Sequence, residues 1–96
     1  MRTLYIVSYD ITDARRWRKV FKLMKGHGDR LQYSVFRCAL NDRERVELIE
    51  KLTRAVKQTE DQVLFFPLGP VGGVDEQRVY AVGLAYQQMR QGAVIA

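Results

Sequence analysis

The sequence predicts one small α+β domain in which strands and helices alternate along the chain. The chain has 96 residues, which leaves room for a single core. Hydrophobic residues make up 47% of it, enough for a packed core and too many for a disordered chain. Two stretches carry apolar residues at helical spacing, and the stretches around them are rich in β-branched and aromatic residues. The expected order is β-α-β-α-β-β, followed by a short β segment.

The first strand is predicted over residues 3–9, in the stretch TLYIVSY. Both of its alternating residue sets are largely apolar, so we expect both faces of the strand to be covered. Asp10 follows the strand but lies three residues too early to cap the next helix, a role that suits Asp13. A carboxylate at the end of a buried strand needs another explanation, and this makes Asp10 the first candidate functional residue.

The first helix is predicted to begin after Asp13 and to end at the Gly-His-Gly sequence of residues 26–28. Residues 14–30 contain seven basic residues and one acid, a net charge of +6, whereas the rest of the chain has nine bases and ten acids. A solvated helix face usually mixes both signs, so this nearly single-signed segment favours nucleic acid as a partner. The basic helix residues assigned to nucleic-acid binding are Arg15, Arg16, Arg18, Lys19 and Lys22.

The second half of the chain is predicted to supply another helix and further strands. Residues 30–40 are expected to form one extended segment. A helix follows Asn41, which fits a capping box with Glu44, and the surface of this helix mixes charges of both signs. Strands are predicted over residues 62–68 and 78–85, although the second of these also allows a helix.

The predicted arrangement leaves one face of the sheet without a cover. Two β-α-β crossovers of the usual right hand place both helices on one face, and the opposite face is apolar. A bare apolar face is typical of an association surface, so we expect a homodimer packed sheet against sheet. Residues 1–90 would form the domain, and residues 91–96 a C-terminal strand that pairs with a partner. Near the two-fold axis, two copies of Asp10 would repel each other unless they were protonated or bridged by a cation.

Simpler explanations exist for several of these residues. Asp10 could have a purely structural role, in which it accepts hydrogen bonds from the first helix or neutralises a neighbouring arginine. His27 is more typical of a solvated loop residue, Cys38 of a small buried apolar residue, and Trp17 of the core. The single cysteine excludes an internal disulfide, and no stretch is long enough to cross a bilayer. We therefore expect a cytoplasmic protein without membrane association.

Three motifs occur in order over residues 4–68: YDITD, a basic helix ending in glycine, and RLQYSVF followed by a hydrophobic strand. Together they resemble the small CRISPR-associated endoribonuclease family, whose members are the small partners of the integrase in the CRISPR adaptation pair. The resemblance implies a ferredoxin-like antiparallel sheet with two helices on one face and a homodimer. It also implies that Asp10 is the catalytic aspartate and a Mg²⁺ ligand. Further residues match positions that the family uses near the site or the nucleic acid: Tyr9, Arg16, Arg30, Ser34 and Phe36.

The family is associated with metal-dependent cleavage of RNA or double-stranded DNA, and with a non-catalytic role in bridging integrase dimers on spacer DNA. Its β-α-β-β-α-β order requires two strands within residues 30–40, where no turn residue is evident. Arg37 stands where many relatives have an acid.

Four functions are compatible with these observations. The leading one is a CRISPR adaptation protein that binds nucleic acid as a homodimer and has a Mg²⁺-dependent endonuclease site at Asp10. The second is a non-catalytic scaffold that docks the integrase through residues 91–96. The third is a related ferredoxin-like ribonuclease toxin. The fourth is a small-molecule-binding regulatory domain, for which a one-sided basic helix has no use.

Overall fold

A computed structural model describes residues 1–72 and 80–84. Within them the elements are, in chain order, β1 (Thr3–Asp10), α1 (Ala14–Lys25), β2 (Asp29–Gln32), β3 (Val35–Leu40), α2 (Asp42–Ala55) and β4 (Gln62–Pro70). The four strands form an antiparallel sheet in the order β2-β3-β1-β4. The predicted α+β class is confirmed, and the order of elements is the one that the resemblance requires. The ferredoxin-like assignment itself stays a prediction.

The expectation of one extended segment over residues 30–40 is wrong. A two-residue turn at Tyr33 and Ser34 divides this stretch into β2 and β3, which pair with each other. β3 also pairs with β1, where Phe36 lies opposite Val7. Neither glycine nor proline marks the turn, and tyrosine favours strands, so the composition of the stretch conceals the reversal.

The predicted strand over residues 78–85 is wrong for the part that the structure describes. Residues 80–84 lie outside the sheet, and residues 82–84 form a bend. Gly83 has a φ of 92°, in the left-handed region, which interrupts an extended run. The rest of that prediction, and the predicted strand over residues 91–96, lie outside the described residues.

Both helices begin with the caps that the sequence predicts. The Asp13 carboxylate accepts a hydrogen bond from the backbone N–H of Arg16 at 3.0 Å, and this bond lowers the pKa of Asp13. Asn41 accepts from the backbone N–H of Glu44 at 2.8 Å, and the Glu44 carboxylate accepts from that of Asn41 at 2.9 Å. This reciprocal capping box satisfies two N–H groups that the helix leaves free. No helix in the described ranges is long and apolar enough to cross a membrane.

The core lies between one face of the sheet and the two helices. α1 contributes Val20 and Met24, and α2 contributes Leu48 and Leu52, all of them buried. They meet the buried side chains of the central strands, which are Tyr5, Val7, Tyr9, Phe36, Cys38 and Leu40. The two helices thus cover the helix face of the central strands β1 and β3.

Gly28, in the connection between α1 and β2, lies against β3. A Cβ atom at this position would lie 2.4 Å from the backbone oxygen of Arg37 and 2.6 Å from the Sγ atom of Cys38. No side chain fits in that space, so the return of the chain from α1 to the sheet requires a glycine here.

The opposite face of the sheet carries exposed apolar side chains. Leu64, Phe66 and Leu68 of β4 are 42%, 47% and 48% exposed. Leu4 and Arg37 share this face by register and are buried. The β4 residues confirm that this face is apolar, as the sequence predicts.

Candidate catalytic and nucleic-acid-binding site

Asp10 is the last residue of β1 and lies opposite Gln62 of β4. The register places it on the face of the sheet opposite the two helices, which we call the open face, together with Ser8 and Leu64. Its side chain is exposed and makes no hydrogen bond or ion pair within residues 1–72 and 80–84. Asp13 caps α1 in its place. The simpler explanations of Asp10 are therefore not met in this structure.

A carboxylate such as Asp10 is a suitable ligand for Mg²⁺, which prefers oxygen donors and often takes one or two carboxylates together with water and phosphate oxygens. One chain offers only part of such a ligand set. Among the described residues, no three His, Cys, Asp or Glu side chains cluster closely enough to hold a metal ion. Asp10 fits Mg²⁺ if the remaining ligands come from water, from a substrate phosphate or from a second copy of the chain.

Arg16 forms ion pairs with two acidic residues that lie just before β4. Its Nε donates to Oδ2 of Asp61 at 2.7 Å, and its Nη2 lies 3.3 Å from Oε1 of Glu60. The Asp61 side chain is inaccessible to solvent and also accepts from the backbone N–H groups of Thr12 at 3.1 Å and Lys57 at 2.8 Å. The hydrogen bond from Arg16 holds the pKa of Asp61 well below its usual range, and it raises the pKa of Arg16 in turn. The network fixes the connection between β1 and α1.

The other predicted basic residues of α1 face solvent. Their side chains are exposed and make no ion pair in the part of the chain that the structure describes. A shallow hollow of about 520 Å³ on the outer surface of α1 is lined by Phe21 and by five basic residues: Arg15, Arg18, Lys19, Lys22 and Lys25. We call these five residues the basic face. Because their charges lack acidic partners there, they are available to phosphate groups.

Tyr9 and Phe36, which the resemblance places near the site, belong to the core. Tyr9 is 4% exposed, and its ring stacks on that of Phe36 with centroids 6.2 Å apart. Burial raises the pKa of Tyr9 to about 12, and its buried hydroxyl has no hydrogen-bond partner among the described residues. Both side chains pack in the core on the helix side of the sheet, and neither presents a surface to a ligand.

Ser34 links three elements around the end of β1. Its carbonyl oxygen accepts from the backbone N–H of Tyr9 at 3.0 Å. Its hydroxyl oxygen accepts from Nε1 of Trp17 at 2.9 Å. The turn between β2 and β3 is thereby tied both to the strand that carries Asp10 and to α1.

An aromatic stack next to this turn was not expected from the sequence. The ring of Trp17 lies between those of Phe21 and Tyr33, with centroid distances of 5.1 and 4.4 Å and interplanar angles of 10° and 17°. The guanidinium of Arg30 lies 5.0 Å from the centroid of Phe21 and 5.9 Å from that of Tyr33. Trp17 and Phe21 are four residues apart on α1, a spacing that the sequence shows. Tyr33 joins them only because the chain reverses at residues 33 and 34.

The remaining two residues, Cys38 and His27, have structural roles. Cys38 is buried, which confirms the prediction, and this burial raises the pKa of its thiol to about 12. His27 is half-buried rather than solvated, and its Nδ1 donates to the carbonyl oxygen of Leu23 at 2.7 Å. Neither residue lies at the end of β1.

Known proteins of one family match this chain along most of its length. The family model described as CRISPR associated protein Cas2 matches residues 1–71. A CRISPR-associated endoribonuclease Cas2 of Geobacter sulfurreducens is 41% identical over 95 residues, which cover 99% of either chain. A CRISPR-associated endoribonuclease Cas2 of Rhodospirillum rubrum is 41% identical over 91 residues, 95% of this chain and 88% of the relative.

Solved structures share the fold. A crystal structure of a hypothetical protein from Thermus thermophilus superposes with a TM-score of 0.75 at 31% identity, covering 91% of this chain and 100% of that one. The crystal structure of Streptococcus pyogenes Cas2 at pH 6.5 superposes with a TM-score of 0.72 at 30% identity, covering 83% of this chain and 99% of that one.

Proposed function

The chain belongs to the Cas2 family of CRISPR-associated proteins, and from that premise we propose that it is a Mg²⁺-dependent endonuclease of CRISPR spacer acquisition. The observation that carries this proposal is the carboxylate of Asp10, which is exposed and unpartnered within the described residues, next to a segment with a net charge of +6. The relatives are named endoribonucleases, so RNA is the first substrate to test. The family match favours this function over a toxin or a regulatory domain.

A homodimer packed through the open face of the sheet is part of the proposal. Leu64 and Phe66 lie on that face together with Asp10 and are exposed in the single chain. Burying such side chains against a second copy removes apolar surface from water and is favourable. The same packing would bring two Asp10 carboxylates towards one two-fold axis and so supply the second carboxylate that one chain lacks.

In the proposed reaction, each part of the chain has a separate task. Asp10 would hold the metal ion, which supplies a Lewis acid for a phosphoryl oxygen and lowers the pKa of bound water. The basic face would bind backbone phosphates by charge and would orient the strand without reading its sequence. The Arg16–Asp61 pair, which fixes the connection after β1, would keep Asp10 in position.

The test compares cleavage of labelled single-stranded RNA and double-stranded DNA, with Mg²⁺ and with a chelator. Asp10→Asn removes the negative charge with little change of shape and should abolish metal-dependent cleavage. Asp42→Asn is the matched control, because Asp42 is 94% exposed in the first turn of α2 and should leave cleavage unchanged. Wild-type cleavage by Asp10→Asn would place the activity elsewhere or in a contaminant.

A second candidate function is a scaffold that holds spacer DNA and docks the CRISPR integrase without cutting. It is favoured by the balance of charges in the described residues, where the five basic side chains of the basic face have no ion pair and Asp10 is the single candidate catalytic carboxylate. Binding by wild type and by Asp10→Asn, with cleavage by neither, would support the scaffold. Deleting residues 91–96 should then abolish co-purification with the integrase and leave the domain folded, whereas normal co-purification would reject docking through this segment.

A further inference from the structure

The aromatic stack of Phe21, Trp17 and Tyr33 ends in an exposed ring. Tyr33 is 66% exposed, although one face of its ring covers Trp17 at a centroid distance of 4.4 Å. The hydroxyl of Ser34 fixes Trp17 through its Nε1, so the support beneath Tyr33 is held in place. The outer side of the stack is therefore a positioned aromatic surface that faces water.

From this surface we infer a binding site for one unpaired nucleobase of a single-stranded nucleic acid, formed by the ring of Tyr33. The inference rests on the proposed nucleic-acid function and names the part of the strand that this site would take. Bases stack on aromatic side chains irrespective of sequence, since every base has a π-face. Bases inside a duplex are already stacked on their neighbours, so the site would take a single strand, a flap or an unpaired end.

The charges around the stack suit a nucleic-acid strand. The guanidinium of Arg30 lies within 6 Å of the Tyr33 centroid, and the Nζ of Lys25 lies 5.7 Å from that of Phe21. Phe21 also lines the hollow of the basic face, so the aromatic stack adjoins this basic surface. A base on Tyr33 would have cationic groups near its phosphates, which an uncharged apolar partner would not use.

The position of the stack relates it to Asp10. The Ser34 carbonyl accepts from the N–H of Tyr9, the residue before Asp10, so the turn and the candidate catalytic carboxylate lie at the same end of the sheet. Tyr33 packs on the helix side and Asp10 faces the open side. A strand anchored by one base at Tyr33 would therefore run over the end of β1 towards Asp10.

The test measures binding of a short single-stranded RNA and of an abasic strand of equal length, both in chelator so that neither is cut. The decisive variant is Tyr33→Leu, because leucine still covers Trp17 but offers no aromatic ring. Tyr33→Ala would be less informative, since it exposes Trp17 as a substitute. Tyr33→Phe keeps the ring and is the matched control. Trp17, the only tryptophan in the chain, gives an independent fluorescence signal directly beneath the site.

We expect wild type and Tyr33→Phe to bind the RNA more tightly than the abasic strand. Tyr33→Leu should lose this preference, with RNA affinity reduced roughly tenfold, within the range of one base–aromatic stack. Its affinity for the abasic strand should not change. Single-stranded DNA should show the same dependence on Tyr33, because stacking does not involve the ribose hydroxyl.

Three results would overturn the inference while leaving the proposed function intact. The first is RNA binding by Tyr33→Leu that equals wild type, and the second is an equal loss of affinity for the RNA and for the abasic strand. The third is a dependence on Tyr33 for RNA but not for single-stranded DNA, which would reject stacking and indicate a contact with the ribose. If wild type bound neither strand, the proposed function itself would fail.

Discussion

The exposed lysines of α1 offer a direct test of how this protein binds a polyanion. Each basic side chain that contacts a phosphate of duplex DNA releases condensed counterions, so the logarithm of the binding constant falls with the logarithm of the salt concentration. The basic face has five exposed side chains without an ion pair in the described residues. Lys19→Ala combined with Lys22→Ala removes two of them, and neither side chain is part of the core.

The expected size of the effect follows from this count. If all five side chains of one chain contact phosphates, the slope is about −4.5, at about −0.9 for each contact. The double variant should then give a slope of about −2.7. Between 50 and 200 mM salt, wild-type affinity should fall roughly 500-fold, and that of the double variant only roughly 40-fold.

Arg16 separates this explanation from a general effect of positive charge. Because Asp61 and Glu60 already pair with Arg16, Arg16→Ala should leave the slope unchanged while lowering thermal stability. Arg43→Ala is the matched surface control, since Arg43 is 86% exposed on α2. Fluorescence anisotropy of a labelled duplex at several salt concentrations gives all the slopes. An unchanged slope in the double variant would refute phosphate binding by Lys19 and Lys22, and a reduced slope in Arg16→Ala would show that its ion pair opens.

Two further predictions concern stability. Gly28→Ala should lower the free energy of unfolding by roughly 1–3 kcal/mol and Tm by roughly 5–20 °C, because the added Cβ would lie 2.4 Å from a backbone oxygen of β3. Gly26→Ala is the control and should be neutral or slightly stabilising, since its nearest atom lies at 3.5 Å and its φ is −78°. Equal Tm values for the two variants would contradict the steric explanation. The pKa of Asp61 is lowered in the folded state, so its contribution to the free energy of unfolding is present above the unfolded pKa of about 3.9 and is lost as the pH falls below that value. The Asp61→Asn variant should therefore take up about one proton fewer than wild type on acid unfolding. If the dependence of Tm on pH were the same in both proteins, the Arg16–Asp61 pair would add nothing to stability.

The elements that the sequence predicts correctly are those determined by local signals. Asp13 and Asn41 carry cap side chains directly before a periodic apolar pattern, and such caps act over three residues. The strand of residues 62–68 is likewise a local run and extends in the structure to Pro70. The apolar character of the open face follows from the period of two along β4.

The elements that the sequence misses depend on contacts between distant residues. The turn at Tyr33 and Ser34 lacks glycine and is stabilised by bonds to Tyr9 and Trp17, which lie elsewhere in the chain. In the sequence, nothing distinguishes Arg16 from the other basic residues of α1. Only the fold brings it to Asp61, 45 residues further along, and removes it from the set of unpaired cations.

Ser34 shows how the fold joins the candidate catalytic and binding residues. A single residue accepts one hydrogen bond from the backbone just before Asp10 and another from the indole that supports Tyr33. A shift of the turn must therefore move the end of β1, the aromatic stack or both, because each of these hydrogen bonds joins the turn to another element. The same end of the sheet is fixed from the other side by the Asp61 carboxylate, which accepts from the N–H of Thr12. Asp10 thus lies between two independent attachments, and its exposed carboxylate has a defined position although its side chain makes no hydrogen bond to any described residue.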